Sequence, residues 1–457
     1  MCESHTLEPV TVAAEAPRQL HRILGIRDLV LMIVGTVIGS GIFLVPGPVL
    51  RSVGNSVPLA LLVWLGGGML SLLGALTYGE LSAMRPRAGG IYIYIRDCYG
   101  KFPAFLFGWT LFFVISSGSI ATLAVAFSNY VGEFFSLSTL AAKLIAVLLI
   151  AIIAAVNVCG TRQSADLLNI TTAVKVTAIL AASALLLLRG TSPIFVAANS
   201  AGRATPGMSG VGFAMISVLW AYEGWQYATY TAGETIDPQR TFPIAFFAGT
   251  GFLIAIYLVA NLGYIAALGA QGVADSPRVA TSALGTILSS GAGKVVALAI
   301  LISIFSAANS IMLNSPRVYY AMAKDGFFFY ALCRIHPKFG TPAVAILVAA
   351  VWSAILAASG TFEQLLTYVV FIGWLFYALA AGCVFIYRAK FPKAPRTYRV
   401  PAYPLTPIAF IVAAGALVVN TVVSQPVRAG IGLAIVFLGA PAYLFWRRNA
   451  PPLEGEA

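Results

Sequence analysis

The sequence is poor in charge. Only 10% of its 457 residues are Asp, Glu, Lys or Arg, against 59% hydrophobic, and mean hydropathy is +0.89. That balance excludes an ordinary soluble domain. Histidine is scarce too: His5, His21 and His336 all fall outside the long apolar runs. An intramembrane metal enzyme therefore lacks its usual ligands. Neither an HExxH zinc-protease motif nor a phosphate-binding Walker loop occurs, so membrane metalloproteolysis and ATP-driven transport have no support. Cysteine is absent from the expected outer loops: Cys2, Cys98, Cys159 and Cys333 fall on the inner side and Cys383 within a span. No structural disulfide is expected. Residues 1–27 carry Glu3, Glu8 and Glu15 among several bases but no apolar run, so no cleavable signal peptide is expected.

What the chain has is long apolar runs. A spanning helix needs about 20 such residues, and the runs 29–50, 57–80, 104–132, 140–159, 166–188 and 211–232 pass that test. So do 243–269, 295–316, 342–358, 364–387, 402–423 and 427–446. The expectation is an all-α polytopic membrane protein with twelve transmembrane helices in one domain, 28–447. Cytoplasmic tails 1–27 and 448–457 flank it. Of the 28 Lys and Arg, only Arg51, Lys143, Arg189, Arg203, Arg278, Lys294 and Arg428 then face outward, and Lys175 lies within the fifth span. All the others face inward, which places both termini inside. The net charge of +12 is thus a topology signal and not a nucleic-acid surface.

Two spans contain breaks. Gly35-Thr36-Val37-Ile38-Gly39-Ser40-Gly41-Ile42-Phe43 lies inside the first, and Trp220-Ala221-Tyr222-Glu223-Gly224-Trp225 inside the sixth. Each glycine costs a helix about 1 kcal/mol relative to alanine. Hydrocarbon tolerates loosened backbone only where protein or a wet cavity receives the freed groups. Breaks in corresponding positions of two halves mark a transporter binding site. Helices 1 and 6 are therefore expected to be unwound. They open repeats of five spans, about 28–190 and 211–390, followed by two extra helices at about 402–446. An odd number of spans per repeat inverts the second relative to the first.

Several blocks resemble one family. Leu24-Gly25-Ile26-Arg27-Asp28 and the first break are similar to the opening of the amino acid–polyamine–organocation (APC) superfamily. Gly89-Gly90-Ile91-Tyr92-Ile93-Tyr94-Ile95-Arg96, then Tyr99-Gly100 and Gly108-Trp109, resemble its second cytoplasmic segment. The second break running into Glu234-Thr235-Ile236-Asp237-Pro238 looks like the L-type amino acid transporter branch, as do Trp374-Leu375-Phe376-Tyr377 and Pro395-Arg396-Thr397-Tyr398-Arg399-Val400-Pro401. The resemblance implies the leucine-transporter fold, a five-plus-five inverted repeat plus two, and import or exchange of amino acids. Animal relatives pair with a glycoprotein through an outer cysteine between spans three and four. Residues 133–140 hold none, so a stand-alone bacterial inner-membrane carrier is expected, with bilayer lipid and substrate as its partners and no cofactor.

At the breaks, the N-terminus beginning near Gly41 offers unpaired amides to a carboxylate, and Ser40 adds a hydroxyl. Freed carbonyls of Val37, Trp220 and Glu223 would accept from an ammonium, with Gly39, Ala221 and Gly224 supplying loosened backbone. Close helix packing is the plainer explanation of one glycine motif; two breaks favour a site. Trp220 can act as a gate, whereas Trp225 and Phe43 read as ordinary packing. Lys175 needs partners at mid-span. Carbonyls near Gly35 and Thr36 and the hydroxyls of Ser303 or Ser306 would provide them, and the alternative is a purely structural anchor. The resemblance places Lys175 where sodium-coupled relatives bind an ion, so no sodium coupling is expected. Glu223 could draw a cationic substrate, carry a proton, or pair with a polar neighbour. Asn261, Tyr264, Ser116, Ser117 and Ser119 could line the cavity or satisfy one another between helices. The expected activity is sodium-independent exchange or uniport of neutral L-amino acids. The alternatives are a proton-coupled carrier of cationic amino acids or polyamines, and an amino acid sensor that moves nothing.

Overall fold

In hydrocarbon a chain of apolar residues can satisfy its backbone only internally, and an unclosed chain does so as helix. The computed structural model describes residues 20–194, 208–288, 292–359 and 362–447. Cys2, His5, the first nineteen residues of the N-terminal tail, most of the outer segment 189–210 and the tail 448–457 lie outside them. The first half runs α1 Ile26–Val37, α2 Gly41–Leu44, α3 Pro46–Ser52, α4 Val57–Met84, α5 Ile91–Tyr99, α6 Lys101–Thr110, α7 Ser116–Val131, α8 Thr139–Cys159 and α9 Thr161–Arg189. The second runs α10 Met208–Ala221, α11 Pro238–Asp275, α12 Val279–Gly285, α13 Ala292–Asn314, α14 Pro316–Lys324, α15 Ala343–Ser359, α16 Phe362–Lys390, α17 Leu405–Ser424 and α18 Pro426–Arg447. Among the described residues, ten helices are long and apolar enough to cross a membrane. The expected sixth and ninth spans fall short. The helix α10 stops after 14 residues, and α15 has 17, about 25 Å at 1.5 Å per residue.

Packing partners repeat between the halves. The contacts of α1 with α9 and α11 recur as those of α10 with α16 and α4. Those of α13 with α9 and α8 recur as those of α7 with α16 and α15. The pairs α4–α11, α7–α13 and α8–α15 map onto themselves. Exchanging α1 with α10, α4 with α11, α7 with α13, α8 with α15 and α9 with α16 thus preserves most of the packing, the α1–α13 and α8–α9 contacts excepted. The outer rim is apolar and exposed, as at Leu140, Leu144 and Leu148 of α8, whereas Trp64, Trp225 and Trp374 are fully buried.

One end of the bundle is tied by charge. Arg317, fully buried, donates from Nε to Glu234 at 2.7 Å and from Nη2 to Thr161 at 2.7 Å. Arg388 holds the buried Glu80 carboxylate at 2.9 and 2.7 Å, and the Val400 N–H donates to it at 2.7 Å. Arg96 and the Tyr92 hydroxyl share Asp325 at 2.6 and 2.9 Å.

Candidate functional site

The first break spans Ile38 to Ser40. Ile38 departs from helix at φ −74, ψ 86, and helix resumes at Gly41. The second follows Ala221 and ends at Gly224, whose φ of +129 is a backbone state that favours glycine. Beyond it the chain continues as 3₁₀ turns, Trp225–Glu234. The two breaks touch through backbone: a Cβ on Gly41 would lie 2.7 Å from Ala221 Cα, and one on Gly224 would lie 2.9 Å from Thr36 Cγ2.

Between them is a cavity of about 30 Å³, lined by Thr36, Val37, Gly39, Ser40, Gly41, Ser119, Leu123, Trp220, Glu223, Gly224, Tyr227 and Ile311. Such a space holds one or two water molecules. Most residues expected at the site thus meet here. Ser40 is 1% exposed and its Oγ has no hydrogen-bond partner. The first helical bonds past the break run from Phe43 and Leu44 to the Ser40 carbonyl. The amides of Ser40, Gly41 and Ile42 precede them and have no intrahelical acceptor.

The carbonyls are partly engaged. Val37 O accepts from the Gly39 N–H at 2.8 Å, and Trp220 O from the Glu223 N–H at 3.1 Å. The Tyr257 hydroxyl of α11 lies 3.1 Å from Val37 O and 2.9 Å from Ala221 O. One phenol therefore bridges both breaks. Sequence reasoning missed this residue, because a tyrosine inside a long apolar helix carries no mark of which carbonyl it meets. Its neighbour Asn261 bonds back to Tyr257 O at 2.7 Å and does not line the cavity.

Lys175 is 1% exposed and donates to Gly35 O and Ile38 O, both at 2.6 Å. Ser303 donates to Ile38 O at 3.0 Å and to Gly39 O at 3.1 Å. Lysine and serine thus share one acceptor and pin the first break to α9 and α13. Ser306 sits elsewhere, 3.0 Å from the Thr171 hydroxyl and 3.4 Å from that of Thr172. Thr36 bonds to Met32 O at 2.6 Å and to the Ser310 hydroxyl.

Glu223 faces the cavity with its carboxylate bonded to the Tyr377 hydroxyl at 2.7 Å and to the Gln226 amide. Gln226 also donates to Tyr377 at 2.8 Å and accepts from the Gly224 N–H at 3.2 Å. Neither Tyr377 nor Gln226 was foreseen as a partner of Glu223. Trp225 packs against Tyr78, Phe246 and Phe410, whereas Trp220 borders the cavity. Of the span-three serines, Ser119 lines it, Ser116 lies 3.4 Å from the Tyr227 hydroxyl, and Ser117 Oγ is buried without a partner. Five residues of π-helix, Leu111–Ile115, precede them; such irregularities recur at functional sites. Tyr264 and Phe43 border a different cavity. No cluster of three or more His, Cys, Asp or Glu suited to a metal occurs among the described residues.

Two helix breaks that meet at a small cavity, in a bundle of helices long and apolar enough to cross a membrane, are the pattern of a secondary transporter. The chain belongs to the amino acid permease family, whose pattern matches residues 24–440; its work is amino acid transport and not catalysis. It is similar to the Serine/threonine exchanger SteT of Bacillus subtilis (strain 168), 31% identical over 93% of this chain and 96% of that one. It is also 31% identical to the human Large neutral amino acids transporter small subunit 2, over 92% of this chain and 79% of the relative. The human Cystine/glutamate transporter matches at 31% over 93% and 85%.

Proposed function

We propose that this chain exchanges or uniports neutral L-amino acids, without sodium, by alternating access. The observation that carries the reading is the meeting of two helix breaks around one small buried cavity. The substrate carboxylate would take the amides at the start of α2 and the Ser40 hydroxyl. Its ammonium would take the carbonyls of Trp220 and Glu223, which have a lone pair to spare, and that of Val37 when the Tyr257 proton turns to Ala221 O. Trp220 would close over the bound amino acid. Lys175 supplies a fixed ammonium to Gly35 O and Ile38 O, so those carbonyls have no need of a metal cation.

The architecture that fits is twelve spans, the shortened α10 and α15 included, with α1 and α10 the unwound pair. Two inverted five-helix repeats are supported by the exchange symmetry of the contacts. Both termini would face the cytoplasm of a bacterium, in its inner membrane, placing the Arg317, Arg388 and Arg96 clusters inside. No disulfide-linked heavy subunit is required, because residues 133–140 contain no cysteine.

Counterflow in proteoliposomes with a panel of amino acids and imposed sodium or pH gradients tests this. Labelled neutral amino acid should accumulate against unlabelled substrate on the far side, indifferent to sodium. Several-fold stimulation by a sodium gradient would overturn the role given to Lys175. Binding without flux would mean a sensor. Lys175→Ala should slow exchange several-fold while substrate affinity changes little, because the side chain holds backbone and touches no substrate.

A second reading rests on Glu223, whose carboxylate reaches the cavity: proton-coupled movement of cationic amino acids or polyamines. At 4 Å and an effective dielectric of about 20, a charge pair gains about 4 kcal/mol before desolvation is subtracted. Glu223→Gln keeps an acceptor for Tyr377 and Gln226 while removing the charge. Exchange of neutral amino acids should survive it with less than about a tenfold loss, the equivalent of 1.4 kcal/mol. If the mutant instead loses a dibasic substrate or the pH dependence of uptake, the second reading holds.

A further inference from the structure

A second cavity, of about 380 Å³, lies between α9 and α13. Its walls include Ala178, Ala182 and Leu185 of α9, Val296 and Ala299 of α13, and Leu284 of α12. Two polar side chains, Lys175 and Tyr264, are among the lining residues. The lysine ammonium is already committed to Gly35 O and Ile38 O, leaving its alkyl stem for the wall. Small alanines on facing helices make the room.

Three facts say what fills it. Apolar cavities exclude water; one of about 150 Å³ stays dry and takes up benzene. This one has more than twice that volume. Its exposed lining residues are Ala181 of α9, Leu288 of the connection after α12 and Val295 of α13, and the outward faces of α9 and α13 meet hydrocarbon. An unfilled void forfeits the contacts of every atom lining it, and acyl chains are the solvent at hand. Lastly, Lys294 is exposed immediately before Val295, placing a cation beside the mouth where a phosphate would sit. The helices α9 and α13–α14 meet at the Thr161–Arg317 bond. The crevice therefore lies towards their opposite ends, in the other leaflet.

We propose that this crevice binds the acyl chain of a bilayer phospholipid, which enters between α9 and α13 and ends against Phe43 and Lys175. Phe43 is the third residue of α2, and Lys175 holds the first break. The lipid tail is thus a replaceable part of the wall behind the unwound segment.

The test uses the full chain in liposomes containing phosphatidylglycerol with a diazirine at the end of one acyl chain. No amino acid is present, so the result is independent of whether the protein transports one. After irradiation, adducts on Ala178–Leu185 and Val295–Ile300 should exceed severalfold those on Leu144 and Leu148 of α8, which are each 59% exposed. Ala182→Phe and Ala299→Phe each fill the crevice and should abolish its adducts while labelling of α8 persists. Labelling of the crevice no stronger than that of α8 overturns the proposal, even if both variants fail to fold. Crevice adducts that survive in both folded variants overturn it as well.

Discussion

Gly41→Val should abolish substrate binding and counterflow in a protein that still inserts and purifies. The cause is steric. A Cβ at position 41 meets Ala221 Cα at 2.7 Å and Ala221 Cβ at 2.8 Å, distances no relaxed pair of carbons tolerates, and the first obstacle is backbone. The breaks must move apart, and the amides and carbonyls they aim at one cavity lose their mutual position. Overpacking costs about 1–3 kcal/mol, and each 1.4 kcal/mol is about tenfold in affinity, so Gly41→Ala alone should weaken binding by about tenfold or more. Gly39→Ala is the internal control. Its Cβ would sit 3.3 Å from Leu123 Cδ2 and 3.4 Å from Ala307 Cβ, where a few tenths of an ångström of yielding suffice. Isothermal titration or a scintillation proximity assay measures both. Unchanged affinity in Gly41→Val would mean that the carboxylate is bound elsewhere.

The largest effect on stability is expected from Arg317→Met. Arg317 is fully buried, as is nearly all of Glu234, at 2% exposed. Removing one partner of such a pair leaves an uncompensated charge and costs about 3–5 kcal/mol. Arg317 also satisfies Thr161 and the Leu313 carbonyl, so the loss spreads over α9, α13 and the 3₁₀ segment after the second break. Asp166→Ala breaks the Arg162–Asp166 pair, whose side chains are 48% and 50% exposed, and should cost about 1 kcal/mol or less. The melting midpoint of the purified protein should fall far more in the first variant than in the second. Equal midpoints would show that the buried pair does not hold this end of the bundle together.

Much of this was legible in the sequence because a membrane restricts the choices. Long apolar runs could only be helices, and glycines at 35, 39 and 41 could only be breaks or packing contacts. Asp28 at the start of α1 was legible only as part of the family resemblance, and the bond its carboxylate accepts from the Gly25 N–H at 2.9 Å was not foreseen. Lys175 was recognisable as a buried cation with carbonyl partners in span one. Which carbonyls it meets depends on where the helix opens: the chain unwinds after Val37, so Ile38 O is freed and Thr36 O is not the acceptor. Ser303 and Ser306 are three residues apart on α13, yet the turn between them sends one to the break and the other to Thr171. The spacing alone could not choose. Tyr257 and Tyr377 escaped for a related reason, since their roles rest on contacts between helices distant in sequence.

A cavity with room for one or two water molecules has a consequence for the membrane as a barrier. Protons and small ions cross hydrocarbon along files of water, and a file needs continuous wet volume. Between the two breaks the protein closes that path down to about 30 Å³, too little for a continuous file. If the cavity is the substrate site proposed above, an amino acid would have to select an expanded arrangement, and its apparent affinity would be reduced by the fraction of that arrangement. A low leak and a reduced affinity would then be two faces of one geometry. A variant that props the site open should bind its amino acid more tightly and insulate the bilayer less well.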